Sequence, residues 1–280
     1  MIRAKTPLKR ILFWISFVLA CLVGLIGFAA VVWLTLPQPE PEPEPSVQTE
    51  PPQETTMPAP EANPLGPEDF AWVDGRLTCL TAPAITGIDV SSWQKEVDWQ
   101  QVKDSGVEFV MIRFARRGTT EGGLYLDEYA MSHYEGAKAV GLKIGGYLFS
   151  QAVSVEEAEE EAHYLLEAVK GLELEMPLVF DWELAQGDTR TDAVDARTVT
   201  DCALAFCGII KAAGYEPMIY FNESLSRSRI FLEELTDYSF WLAKYSDTMN
   251  YPYKVDMWQY TDSGSIPGIP KRVDLNLYFP

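Results

Sequence analysis

Short apolar and aromatic runs recur through the C-terminal part of the chain, and amphipathic stretches of helical period separate most of them. The strand candidates are Ile85 to Val90, Glu108 to Phe114, Lys143 to Phe149, Pro177 to Trp182, Pro217 to Phe221, Phe240 to Tyr245, Val255 to Tyr260 and Val273 to Tyr278. Helical patterning falls at Trp99 to Ser105, Asp127 to Val140, Val155 to Lys170, Ala193 to Ala213 and Arg229 to Leu235. Ser154 with Glu157 forms a capping-box signature, and Gly106, Gly141, Gly171 and Gly214 stand where helices should stop. Alternation of strand and helix implies an α/β fold of parallel strands joined by right-handed crossovers, and eight such strands suggest a closed barrel. The last two connections, Ser246 to Lys254 and Thr261 to Arg272, are too short and too rich in Pro, Gly and Ser for full helices. The expected architecture over residues 69–280 is therefore an irregular TIM-like barrel of five strand-helix units and three closing strands. No repeat of fixed period accompanies it.

The pattern changes completely upstream. Ile11 to Leu36 carries no charge over 26 residues, enough at about 1.5 Å per residue to cross a hydrocarbon core of roughly 30 Å. Arg3, Lys5, Lys9 and Arg10 precede it within residues 1–10, and no Lys or Arg follows before Arg76. The expectation is a single-pass transmembrane helix with a cytoplasmic N-terminus and everything after Leu36 outside. A cleaved secretory signal is the alternative, with Gly27 to Ala30 as small residues for a peptidase, but signal cores usually span about 7 to 15 residues. Pro37 to Pro67 then holds eleven prolines and six glutamates with no basic residue. Such a segment, within residues 37–68, buries no core and extends as polyproline II, which reads as a stalk.

Charge narrows the partners. The chain has a formal net charge of −19, and residues 69–280 carry 18 Lys and Arg against 34 Asp and Glu. That balance argues against nucleic acid and against docking on an anionic membrane surface, both of which need a basic face. Cys202 and Cys207 share one predicted helix and no metal-ligand spacing of Cys or His occurs, so Cys79, Cys202 and Cys207 read as free thiols, with a bridge to Cys79 the lesser option. His133 and His163 fall on predicted helices away from strand ends.

In a parallel barrel, chemistry gathers at the C-terminal ends of strands. Asp181 and Glu183 end the fourth strand two positions apart, so both side chains take one face. Asp89 ends the first strand and Asp274 lies in the eighth, its neighbour in a closed barrel. Four carboxylates at one mouth fit glycoside hydrolysis, where one acid protonates the leaving oxygen and another stabilises or attacks the sugar cation. A divalent cation is the competing use of such oxygens, but no histidine stands nearby, and neither metal nor cofactor is expected. A purely structural cluster paired with Arg113 or Lys244 is a further possibility. Trp93, Tyr147, Trp182, Tyr220, Trp241, Tyr245, Trp258 and Tyr260 also lie at or near strand ends, and aromatic faces stack on the C–H faces of sugar rings.

These residues resemble the glycoside hydrolase family 25 lysozymes, muramidases of the Chalaropsis and phage type. "GIDVSSWQKEVDW" from Gly87 resembles the family's opening, "GVEFVMIRF" from Gly106 its second strand, and "VFDWE" from Val179 its Asp-x-Glu centre. "MIYF", "FWLAKY", "MWQY" and "VDLN" resemble the closing strands in order, so the likeness runs from about Thr86 to the C-terminus. It implies cleavage of the β-1,4 bond from N-acetylmuramic acid to N-acetylglucosamine in peptidoglycan glycan strands, with retention. Combined with the expected 11–36 anchor, the expectation is a single-pass bacterial cell-membrane protein with this domain on the wall side. Glu183 would be the general acid/base and Asp181 its partner, either assisting the substrate's acetamido group or attacking the sugar carbon. Asp89 and Asp274 match the first- and last-strand acids, and Tyr147, Trp182, Tyr220, Trp241 and Trp258 would support or bind substrate. Leu148 stands where the family usually has a histidine, on the opposite face from Tyr147 and Phe149, so packing is its expected role. A non-catalytic wall-binding scaffold and a glycosidase for another surface polysaccharide are the alternatives.

Overall fold

The computed structural model describes residues 59–280; the expected membrane helix 11–36 and most of the Pro/Glu stalk lie outside the described residues. Among the described residues no helix is long and apolar enough to cross a membrane. Among the described residues the first strands form an antiparallel hairpin, β1 (Phe70–Val73) and β2 (Arg76–Cys79), and a ring of eight strands follows. In chain order these are β3 (Ile85–Val90), β4 (Phe109–Arg117), β6 (Lys143–Ser150), β7 (Leu178–Trp182), β8 (Pro217–Asn222), β9 (Ser239–Ala243), β10 (Met257–Gly264) and β11 (Val273–Tyr278). Pairing of β3 with β4 closes the ring, and the short β5 (Leu124–Leu126) folds back antiparallel on the end of β4.

The eighth strand departs from an all-parallel barrel. β11 runs antiparallel to both β10 and β3, because the short connection over residues 265–272 turns the chain straight back instead of carrying it round through a helix. The helices are α1 (Trp99–Asp104), α2 (Ala130–Ala139), α3 (Val155–Ala168), α4 (Ala196–Ala212) and α5 (Glu223–Ser228). Side chains of Asp98, Ser154, Asp195 and Asn222 accept N-terminal backbone N–H groups of α1, α3, α4 and α5 respectively. The fifth helix sits upstream of the expected Arg229 to Leu235. Asn222, the last residue of β8, caps it at once, while Arg229 reaches back to the carbonyl of Val194 and the amide of Phe231 donates to Thr200 Oγ1 at 3.0 Å. Those ties hold 229–231 as a loop and leave only a 3₁₀ turn at Leu232–Glu234.

Strand alternation sorts the side chains. On β7, Val179 and Asp181 point into the barrel, whereas Phe180 packs outward on Phe206 of α4 with ring centroids 5.1 Å apart. An apolar layer of Phe109, Met111, Val179, Met218 and Met257 fills the lower barrel. Gly87 belongs to this layer by necessity, since a Cβ there would stand 2.3 Å from the Phe109 ring. Where helices are lacking, beside β10, the β1–β2 hairpin covers the outer face: Phe70 meets Trp258 edge-on at 5.1 Å and Trp72 meets Tyr260 at 6.2 Å.

Candidate functional site

Above the apolar layer the interior turns polar. Asp89 of β3, Asp181 and Glu183 at the end of β7, and Asp274 of β11 meet around a cavity of about 240 Å³ that Tyr147, Tyr220 and Trp241 also line. The period-two spacing predicted for Asp181 and Glu183 holds, with the intervening Trp182 turned away. A second cavity of about 290 Å³ shares Asp89, Tyr147 and Asp274 and continues over Ser91, Trp93 and Arg272. Together they form a cleft across the barrel mouth. The two histidines lie elsewhere, on α2 and α3, and buried His133 faces the Ser91 carbonyl at 3.3 Å.

Two of the expected aromatic contributors are not in this cleft. Trp182 is fully buried between β7 and the helices, where its indole N–H donates to the Ala152 carbonyl at 2.9 Å. Trp258 is buried under the hairpin and donates to the Lys244 carbonyl at 2.8 Å. Both occupy outward positions, one residue out of phase with the interior face. Tyr260 shares the outward face of Trp258, whereas Tyr245 and Trp93 stay at the rim. Leu148 is fully buried on the helix side, in keeping with a packing role. Of the expected basic partners, Arg113 lines the cavity but is held by Asp127 at 2.7 Å, and Lys244 pairs with Glu223 at 2.5 Å.

Two interior residues had no chemical signature in the sequence. Gln259 and Asn276 each donate to Asp89 Oδ2, at 2.9 and 2.8 Å. The strand phase alone marks them: Asn276 is two positions from Asp274, and Gln259 two from the interior Met257. A third, Gln151, is fully buried and donates its amide to the Glu183 carbonyl at 2.6 Å, fastening the chain where it leaves β7.

Burial controls the charge of the cluster. Desolvation raises Asp181 well above the carboxylate range, and repulsion from Glu183 and then Asp89 adds to it. Glu183 is pushed up to about 7, mainly by burial, with Asp89 again contributing repulsion. Each of the two carboxyls raises or lowers the other, Glu183 repelling the charge on Asp181 while Asp181 eases ionisation of Glu183, so the pair titrates as a unit above the ordinary carboxylate range. Asp274 is raised to about 9 by burial and by Asp89. Asp89 is raised by burial as well, but its bonds from Asn276 and Gln259 oppose that. The geometry suits proton donation to a buried leaving group beside a charge-stabilising carboxylate.

An α/β barrel with a carboxylate cluster in an aromatic-lined cleft at its mouth is the arrangement of a barrel glycosidase. The chain belongs to glycosyl hydrolases family 25, whose model matches residues 88–269. It is 30% identical over 191 residues to an autolytic lysozyme of Clostridium acetobutylicum, covering 68% of this chain and 54% of that one. The modular autolysin LytC from Streptococcus pneumoniae, solved in complex with synthetic peptidoglycan ligand, superposes with a TM-score of 0.62 at 22% identity over 75% of this chain and 52% of LytC. A family 25 glycosyl hydrolase from Bacillus anthracis superposes with a TM-score of 0.57 at 20% identity, over 76% and 93%. At such identities the superpositions bear on the fold alone. The chain spans about half the length of the clostridial enzyme and of LytC.

Proposed function

We propose that the chain is a peptidoglycan hydrolase, a muramidase cleaving the β-1,4 bond from N-acetylmuramic acid to N-acetylglucosamine. The observation that carries this reading is the Asp181–Glu183 pair, set side by side in the mouth of a family 25 barrel with both carboxyls raised by burial. Glu183, with the more exposed position, protonates the glycosidic oxygen as the bond breaks. Asp181 accepts the N–H of the substrate's acetamido group, which draws negative charge to Asp181 and leaves the pair's proton on Glu183. The acetamido carbonyl then attacks the anomeric carbon, and Asp181 stabilises the positive charge that develops on the ring so formed. Glu183, now ionised, removes a proton from the water that opens this intermediate, so configuration is retained. Tyr147, Tyr220 and Trp241 present aromatic faces and edges to the sugar. The uncharged 11–36 segment holds the barrel outside a bacterial membrane, and the Pro/Glu segment sets its reach toward the wall.

Digestion of purified peptidoglycan by the full-length chain, with mass spectrometry of the borohydride-reduced products, tests the reading. Muramitol ends are expected; glucosaminitol ends, or no soluble products, would overturn it. Glu183→Gln is expected to lower the rate by about 10³-fold or more while thermal melting is retained. Loss of less than about tenfold would remove Glu183 from the acid/base role.

A further inference from the structure

We propose that Gln259 and Asn276 are positioning residues that hold Asp89 as a carboxylate with Asp274 as its neutral partner, so that the charge on Asp89 keeps a proton on the Asp181–Glu183 pair. This inference rests on the muramidase reading for its kinetic consequence and on hydrogen-bond geometry for its origin.

Asp89 Oδ2 accepts two N–H groups, from Gln259 Nε2 at 2.9 Å and Asn276 Nδ2 at 2.8 Å. Neither amide is free to turn over. Asn276 Oδ1 accepts from Trp241 Nε1 at 2.9 Å, and an indole N–H can only donate, so turning Asn276 would oppose two donors inside a fully buried site. Gln259 Oε1 accepts from Tyr220 at 3.0 Å and from Tyr245 at 3.2 Å. Turning Gln259 would set its carbonyl against Asp89. The chain Trp241–Asn276–Asp89–Gln259–Tyr220 therefore has one polarity, and at its centre stands an oxygen that gains two bonds which strengthen when it is charged.

The remaining groups facing Asp89 fit that state. Asp274 lies directly opposite in the antiparallel β3–β11 register, and burial with the Asp89 charge holds its proton up to about 9. From β7 and the residue after it come Asp181 and Glu183, and from β6, β8 and the loop after β9 come Tyr147, Tyr220 and Tyr245, all raised and neutral near pH 7. Arg113 of β4 is bound to Asp127, and its pull falls on Asp181. Asp262 of β10 and Arg272 line the neighbouring cavity with Asp89 and act on Asp274 in opposite senses, which leaves Asp89 as the fixed negative charge beside the Asp181–Glu183 pair. Its repulsion opposes loss of the last proton from Asp181 and Glu183, which a general acid working near neutral pH requires.

The test is the pH profile of kcat/KM for peptidoglycan hydrolysis by full-length wild type, Gln259→Leu, Asn276→Leu and Tyr220→Phe. With one of its two donors removed Asp89 holds a proton to higher pH, its repulsion weakens, and the alkaline limb should move to lower pH by about half to one unit in each leucine variant. Tyr220→Phe keeps the shape of the site and should move it in the same direction by less; it carries the test if the leucine variants do not fold. A lower rate with the alkaline limb at its wild-type position in folded variants would mean a structural role only and would sink the proposal. A titration of ¹³C-labelled aspartate carboxyls without substrate reads the origin directly. The Asp89 signal should remain that of a carboxylate to lower pH in wild type than in Asn276→Leu, and equal titrations would overturn the proposal. Absence of hydrolysis by wild type would instead refute the muramidase reading, and the carboxyl titration would still decide the inference.

Discussion

The Asp274→Asn substitution keeps the shape and the hydrogen-bond donor of a protonated aspartic acid and removes its ability to ionise. Folding holds the Asp274 proton far beyond its ordinary release at 3.8, up to about 9, because of burial first and the Asp89 charge second. Between those values the unfolded chain binds fewer protons than the folded one, so stability is fully present below about pH 4 and falls as pH rises, by about 1.4 kcal/mol per unit. From 3.8 to pH 7 is about 3 units, or about 4 kcal/mol as an upper limit. Asp274 retains some access to water, which brings the gain from Asp274→Asn at pH 7 down to about 1 to 3 kcal/mol.

Urea denaturation followed by tryptophan fluorescence at about pH 4, 7 and 8.5 provides the assay. The advantage of the variant should be near zero at the lowest pH and grow steadily toward the highest. An advantage independent of pH, or a variant less stable than wild type at about pH 8.5, would refute the assignment of a strongly held proton to Asp274.

Gly87→Ala should destabilise the barrel by about 2 to 3 kcal/mol, measured by the same denaturation, because its Cβ would meet the buried Phe109 ring at 2.3 Å. Trp182→Phe should cost about 1 to 2 kcal/mol through its lost bond to the Ala152 carbonyl yet leave kcat within about threefold; a much larger kcat effect would return Trp182 to the substrate site. Arg117→Met removes the cation 2.7 Å from fully buried Glu161 and should cost about 3 to 5 kcal/mol, with much of the loss recovered in the double variant Arg117→Met/Glu161→Met. Burial pushes Glu161 up to about 7 even beside Arg117, so the Arg117→Met loss should deepen as pH rises through neutrality.

Period-two spacing made the centre of the site legible. Asp181 and Glu183 share a face because a strand requires it, and the same rule sent Leu148 to the helix side. Phase was the harder quantity. Trp182 and Trp258 stand beside interior residues in sequence, and only the positions of Asp181 and Gln259 on the inner face show that the tryptophans must face out. The hairpin that makes an outward Trp258 tolerable is a tertiary contact with Phe70, almost two hundred residues away in sequence, and no local pattern encodes it. The direction of β11 was hidden for another reason, since a strand reads identically in either sense and only the length of its connection constrains it. Gln259 and Asn276 escaped notice because an amide carries no charge pattern; their importance comes from the carboxylate that closure of β3 against β11 places beside them.

The distribution of satisfied and unsatisfied oxygens separates the two halves of the mouth. Asp89 Oδ2 has two donors, whereas buried Asp181 Oδ1 has no hydrogen-bond partner among the described residues. A buried acceptor without a donor costs free energy, by about 1 to 3 kcal/mol, and the fold tolerates it beside a second carboxylate that repels it. The cost disappears when a ligand brings a donor to that oxygen, and the same bond favours charge on Asp181 and moves the pair's proton to Glu183. In the proposed mechanism, binding and arming of the acid are then one event: the group that satisfies Asp181 also prepares Glu183. Asp89 has the opposite design, with two donors already in place on one oxygen, and the proposed role of Gln259 and Asn276 is to fix its charge in advance so that the proton moves only within the Asp181–Glu183 pair.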